Sequence, residues 1–259
     1  MTTTIPGQGR AMSLWRLEWL RLVRTKRLVA LVATYVLFGL SGPVLARYMS
    51  DILQHVGSDV VVIAPTPTPL QGVSTYASNV NQIGLLVYVL VVSSAVALDA
   101  QREMAVFLRT RVPSYRHLLL PKAALSIAAG SAAFVLGTVA AWCGTSVLLG
   151  PVDPGGIVVG SALVVLYLAF IASIASALGA RLDSVLTTAV GTIVLALALG
   201  LLGAVGSIGG WLPSELLGAL TALPFGGDAS SFIRPSLVTV AATAALFAFA
   251  CRAGDRRER

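Results

Sequence analysis

Residues 123–149 read AALSIAAGSAAFVLGTVAAWCGTSVLL, and no charged side chain interrupts these 27 positions. A helix of roughly 20 predominantly apolar residues crosses the ~30 Å hydrocarbon core of a bilayer, so this stretch is long enough to span a membrane. The whole chain has the same character, with 56% hydrophobic residues, 11% charged residues and a mean hydropathy of +0.87. Soluble domains carry far more charge than this. We therefore interpret the chain as an integral membrane protein.

Five further apolar runs accompany this one, and none shows the alternation of a barrel strand. The predicted spans are residues 28–46, 83–98, 123–149, 157–180, 185–208 and 237–251. The second and sixth runs are short, so we expect them to extend into flanking polar residues. The predicted fold is all-α: a single transmembrane domain of six spans, with an N-terminal segment (1–27) and a C-terminal tail (252–259).

The distribution of basic residues predicts the orientation of these spans. If both termini lie inside the cell, all of the 18 lysines and arginines except Arg47 and Arg234 fall on the cytoplasmic side, as the positive-inside rule requires. The net charge of +7 then reflects the orientation of the protein in the membrane, and some of the basic residues contact anionic lipid headgroups. This pattern predicts a multi-pass protein of the cell (plasma) membrane and needs no nucleic-acid partner.

The segment before the first span has the pattern of an amphipathic helix. Trp15, Trp19 and Leu22 fall on one face, and Arg21 and Arg24 lie largely on the other, as in helices that lie in the membrane interface. Trp15 and Trp19 would be its interfacial anchors. The alternative is a helix docked on protein. No small-residue cleavage site follows the basic stretch, so we expect the segment to remain attached.

Two outer segments are long enough to have structure of their own. Residues 47–82 contain alternating prolines at 65, 67 and 69, which favour an extended, stiff loop; it is either a plain spacer or a gate, lid or docking site. In residues 209–235, Pro213, Ser214 and Glu215 form a good helix start, and leucines follow at helical spacing up to Pro224. This pattern predicts a short outer or re-entrant helix between spans five and six.

A search for catalytic chemistry gives little. No ionisable residue lies near the centre of a span, whereas intramembrane enzymes and proton relays need one. His55 and His117 are isolated in the sequence, so neither indicates a metal site. No Gly-x-x-x-x-Gly-Lys-Ser/Thr phosphate loop occurs, so an ATP-driven process would need an ATPase on another chain. We expect no catalysis, metal or cofactor in this chain itself.

The spans do offer small and weakly polar residues. Gly130, Gly137 and Gly144 recur every seven residues, forming a stripe for close helix packing either within the protomer or at a subunit interface. A second set consists of weakly polar residues that could line a pathway: Asn79, Gln82, Thr187, Thr188 and Thr192. Asn79 and Gln82 are placed at the outer mouth of the second span. The alternative for these side chains is a hydrogen bond to their own helix.

Between the second and third spans, residues 99–122 read DAQREMAVFLRTRVPSYRHLLLPK and contain seven of the chain's charged residues. This cytoplasmic segment resembles the one that follows the second span in type-2 permeases, the membrane subunits of ATP-binding-cassette exporters. Glu103, Phe107-Leu108, Pro113-Ser114, Arg116 and Lys122 stand at the corresponding positions. Ala105-Val106 departs from the family, where many members have Gly-Thr.

The resemblance implies a role for this segment and a set of partners. In that family it is a coupling helix seated in a cytoplasmic ATPase subunit, which binds ATP and magnesium and drives a pair of permeases, either two copies or two homologues. The implied coupling residues are Arg102, Glu103, Phe107, Leu108, Arg109, Arg111, Pro113 and Arg116. The implied function is outward movement of a hydrophobic or amphipathic substrate, such as a drug, lipid, peptide or natural product. Two alternatives remain from the residues: a lipid-facing connector, and a membrane assembly or sensory scaffold that recruits a partner without transport.

Overall fold

The computed structural model describes residues 7–56, 67–97, 115–182, 184–203 and 209–257. Within these ranges the regular structure is helical, and no strand occurs. Six helical stretches are long and apolar enough to cross a membrane. The all-helical, multi-pass membrane class expected from the sequence is thereby confirmed.

Nine α-helices are described in these ranges. In chain order they are α1 (Gly7–Arg24), α2 (Arg27–Val56), α3 (Pro69–Asn79), α4 (Leu85–Val96), α5 (Tyr115–Leu148), α6 (Pro154–Gly179), α7 (Val185–Gly203), α8 (Ala219–Ala222) and α9 (Ile233–Arg257). A π-helical turn, Val80–Gly84, joins α3 to α4, so these two helices form one span. The spans alternate in direction, which brings α1 and the end of α9 to the same end of the bundle. We call this the basic end and the opposite one the far end.

The first two spans are longer than their apolar runs predict. Helix α2 continues to Val56, and the second span begins at Pro69, so the stiff loop predicted for residues 47–82 is wrong at both of its ends. Hydropathy locates apolar residues, whereas the boundaries of a helix depend on backbone signals such as a capping residue or a proline. Thr68 supplies that signal, because its N–H donates to Oε1 of Gln71 (3.3 Å) just before Pro69 opens the helix, an arrangement that satisfies a free N-terminal donor.

The other expected extension is confirmed. The sixth span runs over Ala229–Gly254, well beyond the apolar run at 237–251. Asp228 begins it by accepting hydrogen bonds from the side chain and the backbone of Ser230. These bonds stabilise the carboxylate and hold the pKa of Asp228 below its usual value.

Helix α6 is the centre of the bundle. In α6, 61% of the most apolar stretch of the span is buried inside the protein, whereas the corresponding share is 22% in α7 and in the last span. It contacts α4, α5, α7 and α9, and its residues from Phe170 to Ala177 are buried throughout. Since α7 and α9 leave most of their apolar surface uncovered, they lie at the periphery and present that surface to lipid or to another subunit.

The most extensive helix contact joins α2 to α5, and glycines make it possible. A Cβ atom on Gly39 would overlap the backbone of Gly137, and one on Gly137 would lie 2.5 Å from the carbonyl oxygen of Tyr35. Gly130 faces the ring of Tyr88, and Gly144 faces Pro43. The stripe on α5 is therefore used for packing within the protomer, the first of the two uses that its spacing predicts.

Three buried tyrosines cross-link these helices through their hydroxyls. Tyr76 donates to the carbonyl of Phe134 (3.1 Å) and Tyr88 to that of Leu168 (3.0 Å). Tyr35 donates to the carbonyl of Gly84 (3.3 Å) in the π-helical turn. Such turns disrupt the regular pairing of backbone groups, and an unpaired carbonyl in a membrane interior is costly. Tyr35 therefore stabilises the irregular turn in the second span.

The insertion between the fifth and sixth spans is helical, as predicted, but consists of several short pieces. A 3₁₀ turn (Pro213–Gly218), α8 and a second 3₁₀ turn (Leu223–Phe225) end at Gly226, which has a positive φ of 89°. Leu216 and Leu220 are buried. A Cβ atom added to Gly156 or Gly160 of α6 would overlap the insertion's backbone, so the insertion packs closely on the far end of the central helix.

Candidate functional site at the basic end

The basic end concentrates the positive charge of the described chain. The lysines and arginines placed there with described side chains are Arg16, Arg21, Arg24, Lys26, Arg27, Arg116, Lys122, Arg181 and Arg252, whereas Arg47 and Arg234 lie at the far end. This is the asymmetry that the sequence predicts. It divides the bundle into a strongly cationic end and a nearly neutral end.

A buried ion pair holds α1 against α5 at this end. The Nζ atom of Lys122 lies 3.2 Å from Oε1 of Glu18, and their side chains are 5% and 18% exposed. Arg21 is a further partner of the same carboxylate at 3.9 Å. A buried lysine without an acid partner would be strongly destabilising. The pair therefore fixes the N-terminal helix to the start of the third span, four residues beyond Leu118.

A sharp turn between α1 and α2 makes this contact possible. Lys26 adopts a left-handed conformation with φ of 57°, and its N–H donates to the carbonyl of Val23 (3.2 Å). Left-handed residues commonly end helices and redirect the chain. Helix α1 thus folds back alongside the base of the bundle, where Leu22 is buried while Trp15 and Trp19 are 42% and 47% exposed.

The exposed tryptophans and the buried pair give α1 two faces. One face is fixed to protein through Glu18 and Leu22, so Leu22 does not share the exposed face of the tryptophans as its spacing predicts. This contact corresponds to the docked helix that the sequence left as an alternative. The tryptophans remain available to a membrane interface, where amphipathic rings concentrate. The interfacial role predicted for Trp15 and Trp19 stays a prediction.

Of the predicted coupling residues, Arg102, Glu103, Phe107, Leu108, Arg109, Arg111 and Pro113 lie outside the described residues. Arg116 is described: it is exposed in the first turn of α5 and lines a crevice against α9. Lys122 stands less than two turns further along the same helix. The helices that flank the charged segment, α4 ending at Val96 and α5 beginning at Tyr115, therefore meet it at the basic end.

The predicted pathway threonines bond to their own helix. Thr188 donates to the carbonyl of Ser184 (2.9 Å) and Thr192 to that of Thr188 (2.7 Å), and both are buried. Thr187, which is exposed, donates to Ser184 (3.1 Å). These bonds are the alternative that the sequence offered for their hydroxyls. All three lie in the first turns of α7, toward the basic end.

The sequence placed Asn79 and Gln82 at the outer mouth of the second span, and this placement is wrong. Because that span begins at Pro69, they stand about 15 and 20 Å along it at 1.5 Å per residue. Asn79 is half-buried, and Asn81 and Gln82 are exposed on the π-helical turn. The two predicted sets thus lie on neighbouring helices but at different depths, and the structure does not bring them together.

Sequence reasoning matched Lys122 to a position of the family it resembles, but gave it no role and missed its partner. Glu18 is the only acidic residue among the first 50, and that isolation in a basic helix was the available signal. The π-helical turn has no comparable signature. Among the described residues, no group of three or more His, Cys, Asp or Glu is placed to hold a metal ion.

No protein-family model, curated protein or solved structure matches this chain. The fold and the site define its class as a multi-pass helical membrane protein with a cationic end braced by the Glu18–Lys122 pair.

Proposed function

We propose that this chain is the permease subunit of an ATP-binding-cassette exporter. It lies in the cell membrane with the basic end, and so both termini, in the cytoplasm. A separate ATPase subunit binds ATP and magnesium and engages residues 102–116. A hydrophobic or amphipathic substrate then moves outward through a passage formed with a second permease copy or a homologue.

The Glu18–Lys122 pair is the observation that carries this proposal. It joins α1 to α5 directly beside the charged segment, because Lys122 is the last residue of that segment. A displacement of the segment by an ATPase would reach α5 through the chain and α1 through the ion pair. Since α5 has its most extensive contact with α2, such a displacement would also reach the first span.

The polar turn in the second span supports the pairing of two permeases. Asn81 and Gln82 are exposed on the surface of the single chain about midway along a span. Polar side chains in contact with hydrocarbon are unfavourable and normally face a protein interior or a watery cavity. A second permease on this surface would cover the amides and place them beside the passage.

The proposal predicts that an ATPase subunit co-purifies with the chain in mild detergent. Replacing Glu103 and Arg109 together with Ala should remove most of that subunit, because both charges would contact the ATPase. The measurement is the ratio of ATPase to permease after affinity purification.

A matched control removes one acid and one base from the far end, with Glu215→Ala and Arg47→Ala, and should leave the ratio unchanged. Size-exclusion profiles would show that both double variants are folded. Full retention of the ATPase by the Glu103→Ala/Arg109→Ala variant would contradict the coupling role of the segment.

A further inference from the structure

A crevice opens at the basic end between the first turn of α5 and the last turns of α9. It has a volume of about 380 Å³ and is lined by Arg116, Phe247, Ala248, Cys251 and Arg252. Both arginines are exposed, and Phe247 and Cys251 are partly buried. The crevice thus combines two cationic groups from different helices with an apolar wall.

The polarity of the crevice changes along the axis of α9. Phe247 precedes Arg252 by five residues, so it lies about 7.5 Å deeper in the span at 1.5 Å per residue. Arg116 and Arg252, each near the end of its helix, therefore lie close to the basic end of the bundle, and Phe247 lies deeper in the span.

A neighbouring arginine at this end, Arg181, lies outside the crevice. The guanidinium of Arg181 lies 4.6 Å from the ring centroid of Phe249, in a cation–π contact between the end of α6 and α9. It is not among the residues that line the crevice. Arg116 and Arg252 line the crevice and Arg181 does not, so a substitution of Arg181 serves as a control for substitutions of the two lining arginines.

We propose that this crevice binds the headgroup of an anionic phospholipid. The phosphodiester would lie between Arg116 and Arg252, which can donate paired hydrogen bonds to phosphate oxygens. An acyl chain would pass over Phe247 and Ala248 into the bilayer. A soluble anion would use the two arginines but gain nothing from the apolar wall, so the arrangement fits a lipid better than free phosphate. This inference does not rest on the proposed transport function.

Cys251 makes the proposal testable, because it lies inside the crevice. We would measure its rate of reaction with N-ethylmaleimide in nanodiscs of phosphatidylcholine, with and without phosphatidylglycerol, by mass spectrometry of peptides. A basic residue near a membrane surface contributes about a fivefold preference for anionic lipid. We therefore expect phosphatidylglycerol to slow the labelling of Cys251 about fivefold or more. Arg116→Gln with Arg252→Gln should abolish this protection, whereas Arg181→Gln should retain it.

Two controls separate a bound lipid from other effects. An anionic surface slows thiol reactions in general by lowering the local pH, and Leu186→Cys, at an exposed position in the first turn of α7, reports that effect at the same end. Soluble glycerol phosphate added to phosphatidylcholine nanodiscs should give no protection, and protection by it would reassign the site to a free phosphate. Equal rates for Cys251 in the two membranes, or a slowing that persists in the double variant, would overturn the proposal. If the double variant is misfolded by size exclusion, each single Gln variant provides the same comparison.

Discussion

Replacing Glu18 with Gln is expected to lower the free energy of unfolding by about 3 kcal/mol, since breaking one side of a buried ion pair typically costs that much. Lys122, with only 5% of its side chain exposed, would lose the carboxylate that offsets the cost of burying its amine. Arg21 cannot replace Glu18 as a partner of Lys122, because Arg21 is also positively charged. The measurement is unfolding by denaturing detergent, followed by tryptophan fluorescence, since Trp15 and Trp19 lie on the helix that would be released.

Two variants give this prediction its contrast. Arg16→Gln removes a charge from an exposed position on the same helix and should change stability by less than about 0.5 kcal/mol. Combining Glu18→Gln with Lys122→Met removes both charges and should recover most of the loss, because no buried charge is then left without a partner. Equal effects of Glu18→Gln and Arg16→Gln would show that the pair does not hold α1 in place.

Replacing Gly137 with Ala is expected to destabilise the bundle by about 3 kcal/mol, at the upper end of the usual cost of overpacking. The added Cβ atom would lie 2.5 Å from the carbonyl oxygen of Tyr35 and 2.8 Å from the hydroxyl of Tyr76. The first of these atoms is backbone, so α2 and α5 must move apart. The same denaturing titration measures the effect, together with the folded yield after size exclusion.

Other glycines on the spans provide a graded control. Gly144→Ala would meet only two ring carbons of Pro43, at 3.1 and 3.4 Å, and should cost much less. Gly200→Ala on α7 meets no atom within 4 Å and should be neutral or stabilising by about 0.5–1 kcal/mol, because Ala is a better helix former. Indistinguishable effects at positions 137 and 200 would contradict the close contact between α2 and α5.

The fold was largely predictable because hydropathy and small-residue spacing are local signals. They identified the six spans and the stripe at Gly130, Gly137 and Gly144. The extension of the second span was expected from its short apolar run, but its start at the Thr68–Pro69 boundary and the continuation of α2 through polar residues to Val56 were not predictable from hydropathy. Polar residues near a span were therefore mistaken for loop.

The candidate site was harder to predict because its main contact joins distant parts of the chain. Lys122 was identified by its place in the charged segment, but its pairing with Glu18 depends on the left-handed turn at Lys26 that folds α1 back. Nothing in the residue types at 25–27 indicates that turn, since Lys rarely adopts it. The π-helical turn at Val80–Gly84 likewise makes a tertiary contact with a distant residue, since the carbonyl of Gly84 accepts a hydrogen bond from the hydroxyl of Tyr35.

The central claim, that the segment between the second and third spans engages an ATPase, is tested most directly by site-specific crosslinking. A photoreactive amino acid in place of Arg109 should capture an ATP-binding subunit in native membranes, identified by mass spectrometry, with a yield that differs between ATP and ADP. The same probe in place of Ser230, which is exposed at the far end, should not capture it. Failure of the folded Arg109 variant to crosslink to any ATP-binding protein, or equal capture from both positions, would contradict the proposed coupling.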